Sequence, residues 1–173
     1  MIDTCTIDTP LGPITAAAEG DALVGAWFVG DRHYPKDTAH WRQRADHPVF
    51  AALRGWLRDY FAGKDSLPPF RLAPEGTAFQ QLVWQELLQI PHGQLSTYGA
   101  IAKQIAQKTG RAVVSARAVG GAVGRNKIDI LIPCHRVVGA NGSLTGYGGG
   151  IDRKIALLKL EKALDTTRAF IGE

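Results

Sequence analysis

Cys134 and His135 stand side by side after Pro133, inside the run Ile130-Leu131-Ile132-Pro133-Cys134-His135-Arg136-Val137-Val138. A cysteine becomes a strong soft nucleophile once it is a thiolate, and a histidine is the side chain suited to take its proton near neutral pH. Pro133 has a fixed φ and no N–H to donate, so the aliphatic residues before it read as a strand that ends where the thiol begins. Two plainer readings compete. Cys134 can be a small buried hydrophobe, and adjacency to a histidine does not by itself make a catalytic pair. A metal site needs about four ligands at a recognisable spacing, and the only other cysteine, Cys5, is far away in sequence. No metal is expected, and the two cysteines make no disulfide framework, so reduced thiols are expected.

The elements around this run have their own signatures. A capping box, Thr77 with Gln80, opens a helix over about 77–90 whose apolar face is Phe79, Leu82, Val83, Leu87 and Ile90. Ser96 or Thr97 caps a second helix over 98–107. A turn at Thr109-Gly110 leads to a third, about 113–123, built from Ala116, Ala118, Gly120, Gly121 and Ala122 with one long polar residue, Arg117. Its glycines cost about 1 kcal/mol each relative to alanine, so something must require close approach. Two short helices across a glycine turn fit a helix-turn-helix. The Asn141-Gly142 pair between Val137-Val138 and Ser143-Leu144 predicts a hairpin that would serve as a wing. A last helix spans about 152–162.

A helix lined with Ala and Gly admits a DNA backbone but lacks the side chains that read base edges. It suits binding without sequence preference, with Arg117 as a wedge; the plainer reading is tight helix packing and a surface salt bridge. The charge distribution fits a polyanion partner or, equally, an ordinary solvated basic surface. Residues 1–76 hold 8 Lys and Arg against 10 Asp and Glu, a net −2, whereas residues 77–173 hold 12 against 6, a net +6.

The first half reads as an α/β domain, 1–76. Strands are expected over 4–8, 14–18 and 23–28, then a loop over 31–46. Next comes a helix capped by Asp46, with Pro48 in its first turn and Gly63 at its end. His33, His40 and His47 read as surface residues. The proline-rich stretch 67–76 is the expected boundary with a second domain, 77–173. No apolar run approaches the roughly 20 residues of a membrane span. The start, Met1-Ile2-Asp3-Thr4, lacks a secretion pattern, so a cytoplasmic protein is expected.

Ile132-Pro133-Cys134-His135-Arg136-Val137, preceded by Arg117-Ala118-Val119-Gly120-Gly121 and Asn126 and followed by Thr145-Gly146-Tyr147-Gly148-Gly149, resembles the active-site signature of the O6-alkylguanine-DNA alkyltransferases. The likeness is specific over roughly 77–161. It implies a ribonuclease H-like α/β domain followed by a mainly α winged helix-turn-helix domain. The implied activity is direct, irreversible, single-turnover transfer of the alkyl group of O6-alkylguanine in DNA to the protein's own cysteine after nucleotide flipping, with O4-alkylthymine as a further candidate substrate.

By the same resemblance Cys134 is the acceptor, His135 reaches it through a water, Glu161 holds the other ring nitrogen, and Asn126 is a hinge. Arg117 replaces the flipped nucleotide, and Ala118, Gly120 and Gly121 line the helix in the minor groove of double-stranded DNA. Tyr98, Pro133, Val137, Val138, Tyr147, Gly148 and Lys154 surround the base. Read from its position alone, Glu161 would be a surface helix residue. Two departures stand out: Gly148 occupies a position where many members have serine, and the turn between the two helices, within 104–115, is longer than usual. No cofactor and no membrane are implied, and the protein would act as a monomer, with clustering on DNA left open.

Other classes are compatible with parts of the pattern. A non-enzymatic reader of alkylated bases would have the cysteine replaced, commonly by tryptophan. A winged-helix regulator would need base-reading side chains, which the third helix lacks. A cysteine hydrolase would turn over many times on small esters or peptides.

Overall fold

The computed structural model describes residues 1–164. The expected second domain runs on to 173, so its last nine residues lie outside the described part. The chain forms two compact units, one of residues 1–75 with 127–129 and the other of 76–126 with 130–164.

The first unit is an α/β layer. Strands β1 (Asp3–Ile7), β2 (Ile14–Glu19) and β3 (Ala22–Phe28) form an antiparallel meander. Two-residue strands β4 (Arg42–Gln43) and β5 (Arg71–Leu72) add in parallel at its edges, giving the order β4-β1-β2-β3-β5. Ala16, Ala17 and Ala18 are all buried, so β2 has no solvent face, consistent with its central place. Gly25 is needed where it stands: a Cβ there would lie 2.0 Å from the Trp27 ring. Residues 127–129, far along the chain, complete this sheet. Lys127 and Asp129 bond the Ala26 backbone on both sides, and the buried Asp129 carboxylate accepts from the Phe28 N–H at 3.1 Å.

Helix α1 (Pro48–Phe61) buries Val49, Phe50, Leu53, Leu57 and Tyr60, each burial contributing on the order of 1.5–3 kcal/mol. Its N-cap is His47 and not Asp46: the His47 Nδ1 accepts the Val49 N–H at 3.0 Å. His47 is therefore buried, against the expectation of a surface residue.

The second unit is helical. The capping box forms as expected, and α2 (Ala78–Leu87) buries Val83, Trp84 and Leu87. Trp84 donates its indole N–H to the Ala122 carbonyl at 2.9 Å, tying α2 to α4 (Ala116–Gly124). Between them α3 (Tyr98–Thr109), capped by Thr97 and ended by Gly110 at φ +72°, buries Ile101, Ala102 and Ile105. The third predicted helix starts three residues later than expected. Ser115 is its N-cap and accepts the N–H groups of Arg117 and Ala118, so residues 113–115 lie outside the helix.

The wing differs as well. Asn141 and Gly142 make the turn, with Gly142 at φ +81° and Gly139 donating to Ser143 O, but no strand forms at Ser143-Leu144. Instead β7 (Val137–Val138) pairs in parallel with β6 (Ser96–Thr97), the segment that leads into α3. Helix α5 (Ile151–Leu160) follows, and Leu158 packs with Val138, Leu144 and Leu164. No helix among the described residues is long and apolar enough to cross a membrane.

Candidate functional site

The stretch before Cys134 is a buried turn and not a strand. Ile130 sits at φ +72°, a left-handed conformation that a β-branched residue adopts at a cost of about 1–3 kcal/mol. What replaces the expected ladder is a side chain. The buried Asn126 donates its amide N–H to the Ile132 carbonyl at 2.8 Å and to the Cys134 sulfur at 3.2 Å. Cys134 then opens a 3-10 turn, Cys134–Arg136, with Arg136 N donating to Pro133 O. One amide thus fixes the turn and places a donor on the sulfur, which favours the thiolate over the thiol.

His135 has no solvent exposure, and its Nε2 lies 2.7 Å from Glu161 Oε2. Burial pushes its pKa below 6.5; Glu161 pulls the other way but less strongly, so the imidazole is neutral at pH 7. A carboxylate only accepts, so Nε2 carries the hydrogen and Nδ1 the lone pair. That Nδ1 is buried and has no hydrogen-bond partner among the described residues. The neutral ring therefore carries a buried acceptor lone pair on Nδ1.

Glu161 is the residue that ends α5, and it is 2% exposed, contrary to the surface position that its place in sequence suggests. It is buried because both oxygens are engaged. Arg136 donates Nε to Oε1 at 2.7 Å and Nη2 to Oε2 at 3.1 Å, while His135 holds Oε2. Arg136 stands inside the motif, but nothing in its sequence context assigns it a task. A basic residue next to a candidate base was the one available signal.

Lys154, expected near the base, is a buried residue. It is 1% exposed, and its Nζ donates to the Val137 carbonyl at 2.7 Å and the Thr145 carbonyl at 3.1 Å. Burial lowers its pKa to about 8, with the Cys134 charge acting in the opposite direction. Thr145, also unassigned from sequence, shares a 2.8 Å hydrogen bond with the Tyr98 hydroxyl. Burial raises the Tyr98 phenol above its usual 10, and the charge of Cys134 adds to the rise, so these two groups lie within electrostatic reach. Tyr147 is buried with its ring edge-on to His135 at 6.5 Å, and Gly148 beside it is half-buried. Pro133, Val137 and Val138 are buried around the turn, with the Val137 carbonyl engaged by Lys154.

Helix α4 divides its faces sharply. Val119, Ala122 and Val123 are buried; Ala116, Arg117, Ala118, Gly121 and Gly124 are exposed. A Cβ at Gly121 or Gly124 would meet nothing within 4 Å, and at Gly120 it would touch only the Tyr98 ring at an ordinary 3.7 Å. Internal packing therefore does not demand these glycines. The Arg117 side chain makes no hydrogen bond or ion pair among the described residues. The plainer reading holds for the buried Ala122, which packs against Trp84, and not for the exposed Gly121 and Gly124 or for Arg117.

Two family models match the chain. Residues 78–163 match "6-O-methylguanine DNA methyltransferase, DNA binding domain", and residues 4–74 match the ribonuclease-like domain of the same family. A methylated-DNA–protein-cysteine methyltransferase of Mycobacterium bovis is 47% identical over 163 residues, 94% of each chain. One of Haemophilus influenzae is 42% identical over 155 residues, covering 89% of this chain and 83% of that one. Among solved structures, the Mycobacterium tuberculosis OGT in complex with DNA is similar at a TM-score of 0.81 and 45% identity, covering 92% of each chain.

Proposed function

Because the chain belongs to the 6-O-methylguanine DNA methyltransferase family, we propose that Cys134 is the residue that receives the alkyl group. The activity is repair of O6-methylguanine in DNA by methyl transfer to a cysteine of the protein itself. The observation that carries the assignment of roles is the buried His135, neutral, held through Nε2 by Glu161, with Nδ1 unoccupied.

In this reading the Cys134 proton passes through a bridging water to His135 Nδ1, and Glu161 stabilises the imidazolium that forms. The thiolate, supported by the Asn126 amide and the Lys154 ammonium, attacks the alkyl carbon in line with the C–O6 bond. The S–C bond forms as the C–O bond breaks. Guanine keeps the electron pair and takes back one proton, with the protonated Tyr98 phenol as the hydrogen-bond donor toward the leaving base. The product is a thioether with no route back, so each molecule reacts once.

An alkyl group on O6 is shielded within the base stack, so the nucleotide must be extruded. The exposed Ala and Gly face of α4 suits the minor groove of duplex DNA without sequence preference, with Arg117 filling the gap that the nucleotide leaves. Ala118 and Gly121 lie on that face, Tyr147 and Gly148 border the everted base, and the protein acts as a monomer. O4-alkylthymine, with the same exocyclic C–O bond, is a second substrate.

The test is stoichiometric. After incubation with excess methylated duplex, digestion should yield the Cys134 peptide heavier by one methyl group, with at most one methyl transferred per protein. Repeated turnover, or no added mass on that peptide, would reject the assignment.

A further inference from the structure

Arg136 makes three hydrogen bonds with an almost fully buried side chain, 11% exposed: two to the Glu161 carboxylate and one from Nη1 to the Ile90 carbonyl at 2.7 Å. We propose that Arg136 is a positioning residue for the transfer reaction, its charge holding the His135–Glu161 pair in the one protonation state that can accept the Cys134 proton. The inference rests on the relay described above.

The argument is a count of charge in a dry site. With Arg136 present, a guanidinium, a carboxylate and a neutral imidazole sum to zero. Without it, His135 and Glu161 carry a net negative charge at a place with no solvent exposure on either side chain, and burial disfavours that charge. The pair then draws in one proton at higher pH, titrating as a unit. Where the proton settles does not matter. On the imidazole it occupies Nδ1. On Glu161 the new O–H donates to Nε2, which moves the ring hydrogen to Nδ1. Either way Nδ1 loses its lone pair, and the thiol loses its base.

The other groups around the imidazole do not take over this task. Lys154 on α5 bears a positive charge that also disfavours imidazolium, but its Nζ is committed to two carbonyls. Tyr147 presents a ring edge, and Cys134 adjoins the ring in the same turn. His92 lies in the 91–93 turn that packs on the end of α5, where a Cβ at Gly93 would be 3.2 Å from the Glu161 carbonyl. Arg136 touches both carboxylate oxygens with positive charge, and its planar fork matches them as an ammonium would not.

The test is the single-turnover rate of methyl transfer to Cys134 from methylated duplex as a function of pH, for the intact protein and for Arg136→Met, Arg136→Gln and Arg136→Lys. Iodoacetamide labelling of Cys134 over the same pH range gives a readout that needs no DNA. In the two neutral variants the acid limb of both profiles should move up by about one pH unit or more, a loss of about tenfold near pH 7 that shrinks as pH rises. Arg136→Lys keeps the charge and should stay near the native midpoint. Gln serves as the neutral variant if Met does not fold. An equal fractional loss at every pH in all variants, or a native midpoint in the neutral ones, would overturn the inference. If the intact protein transfers no methyl to Cys134, the functional reading itself fails, a result distinct from an unshifted midpoint.

Discussion

Each unit of this protein holds a buried carboxylate gripped by an arginine with a histidine nearby, yet the two clusters are built differently. In the first unit Asp3 receives Arg42 Nε at 2.7 Å and Arg42 Nη2 at 3.1 Å. In the second, Glu161 receives Arg136 Nε and Nη2 at the same two distances. The arginine forks are alike, and the histidines are not. His47 spends its Nδ1 lone pair on the N-terminus of α1, and its Nε2 is 3.9 Å from Asp3, beyond hydrogen-bond range. His135 bonds its acid through Nε2 at 2.7 Å, and its Nδ1 lone pair has no protein partner among the described residues. Solvent differs too, since the Arg42 side chain is 55% exposed and that of Arg136 only 11%. Residue types alone therefore do not separate the two clusters; burial and the bonding of the histidine ring do, and on the proposed reading that difference is what suits one of them to chemistry.

The largest expected effect falls on the acid that matters. Glu161→Gln should slow methyl transfer by on the order of 10²–10⁴-fold, because the histidine loses its orienting partner and the imidazolium its counter-charge. Asp3→Asn should leave the rate per folded molecule unchanged while lowering the unfolding midpoint. Rapid-quench kinetics beside thermal melts measure both, and a comparable rate loss in the two variants would erase the distinction.

Opening the loop side of the site comes next. Lys154→Met removes both carbonyl ties, at Val137 and Thr145, and should cost on the order of 10²-fold in rate through misplacement of the turn and loop. DNA affinity should change little, as a binding titration would show.

The two carboxylate clusters also differ in how acid reaches them. Arg42 holds the Asp3 carboxyl below 3.8, so its contribution is complete above the unfolded-state value and disappears as pH falls through the lower folded value. His135 acts earlier. Its folded pKa lies below 6.5, so below 6.5 the unfolded chain takes up a proton that the folded one refuses, and stability falls with pH from there. Urea midpoints measured from pH 7 down to pH 4 should fall in the intact protein and fall less in His135→Gln.

Smaller effects sharpen the contrast. His47→Ala should cost about 1 kcal/mol, the usual worth of a helix cap, with no effect on chemistry. Gly121→Ala, with open space around the new methyl, should stabilise the protein by about 0.5–1 kcal/mol and yet weaken duplex binding. A gain in both would remove the surface of α4 from the DNA-binding account.

Local chemistry explains why some of this was legible in the sequence. The capping box at Thr77 and Gln80, the turn signals between the first strands and the small-residue composition of α4 all act within a few residues. The Cys134 motif was legible by its likeness to a family. What could not be read were partners distant along the chain. Ile130-Leu131-Ile132 carries strand-like residues, but the Asn126 amide takes the Ile132 carbonyl and bends the run into a turn. Glu161 looks like a solvent-facing helix residue until Arg136 and His135, some 25 positions earlier, are brought against it. His47 is buried, and not at the surface, because its ring nitrogen caps α1 in place of the Asp46 oxygen that a capping rule favours.

The account turns on the ring of His135. Nitrogen-15 NMR of the intact protein labelled in its histidines, with His135→Gln to assign the signals, reads the protonation of each ring atom. At pH 7 the His135 resonances should be those of a neutral ring with hydrogen on Nε2 and none on Nδ1. An imidazolium, or a neutral ring with its hydrogen on Nδ1, would leave the Cys134 proton nowhere to go and would contradict the account.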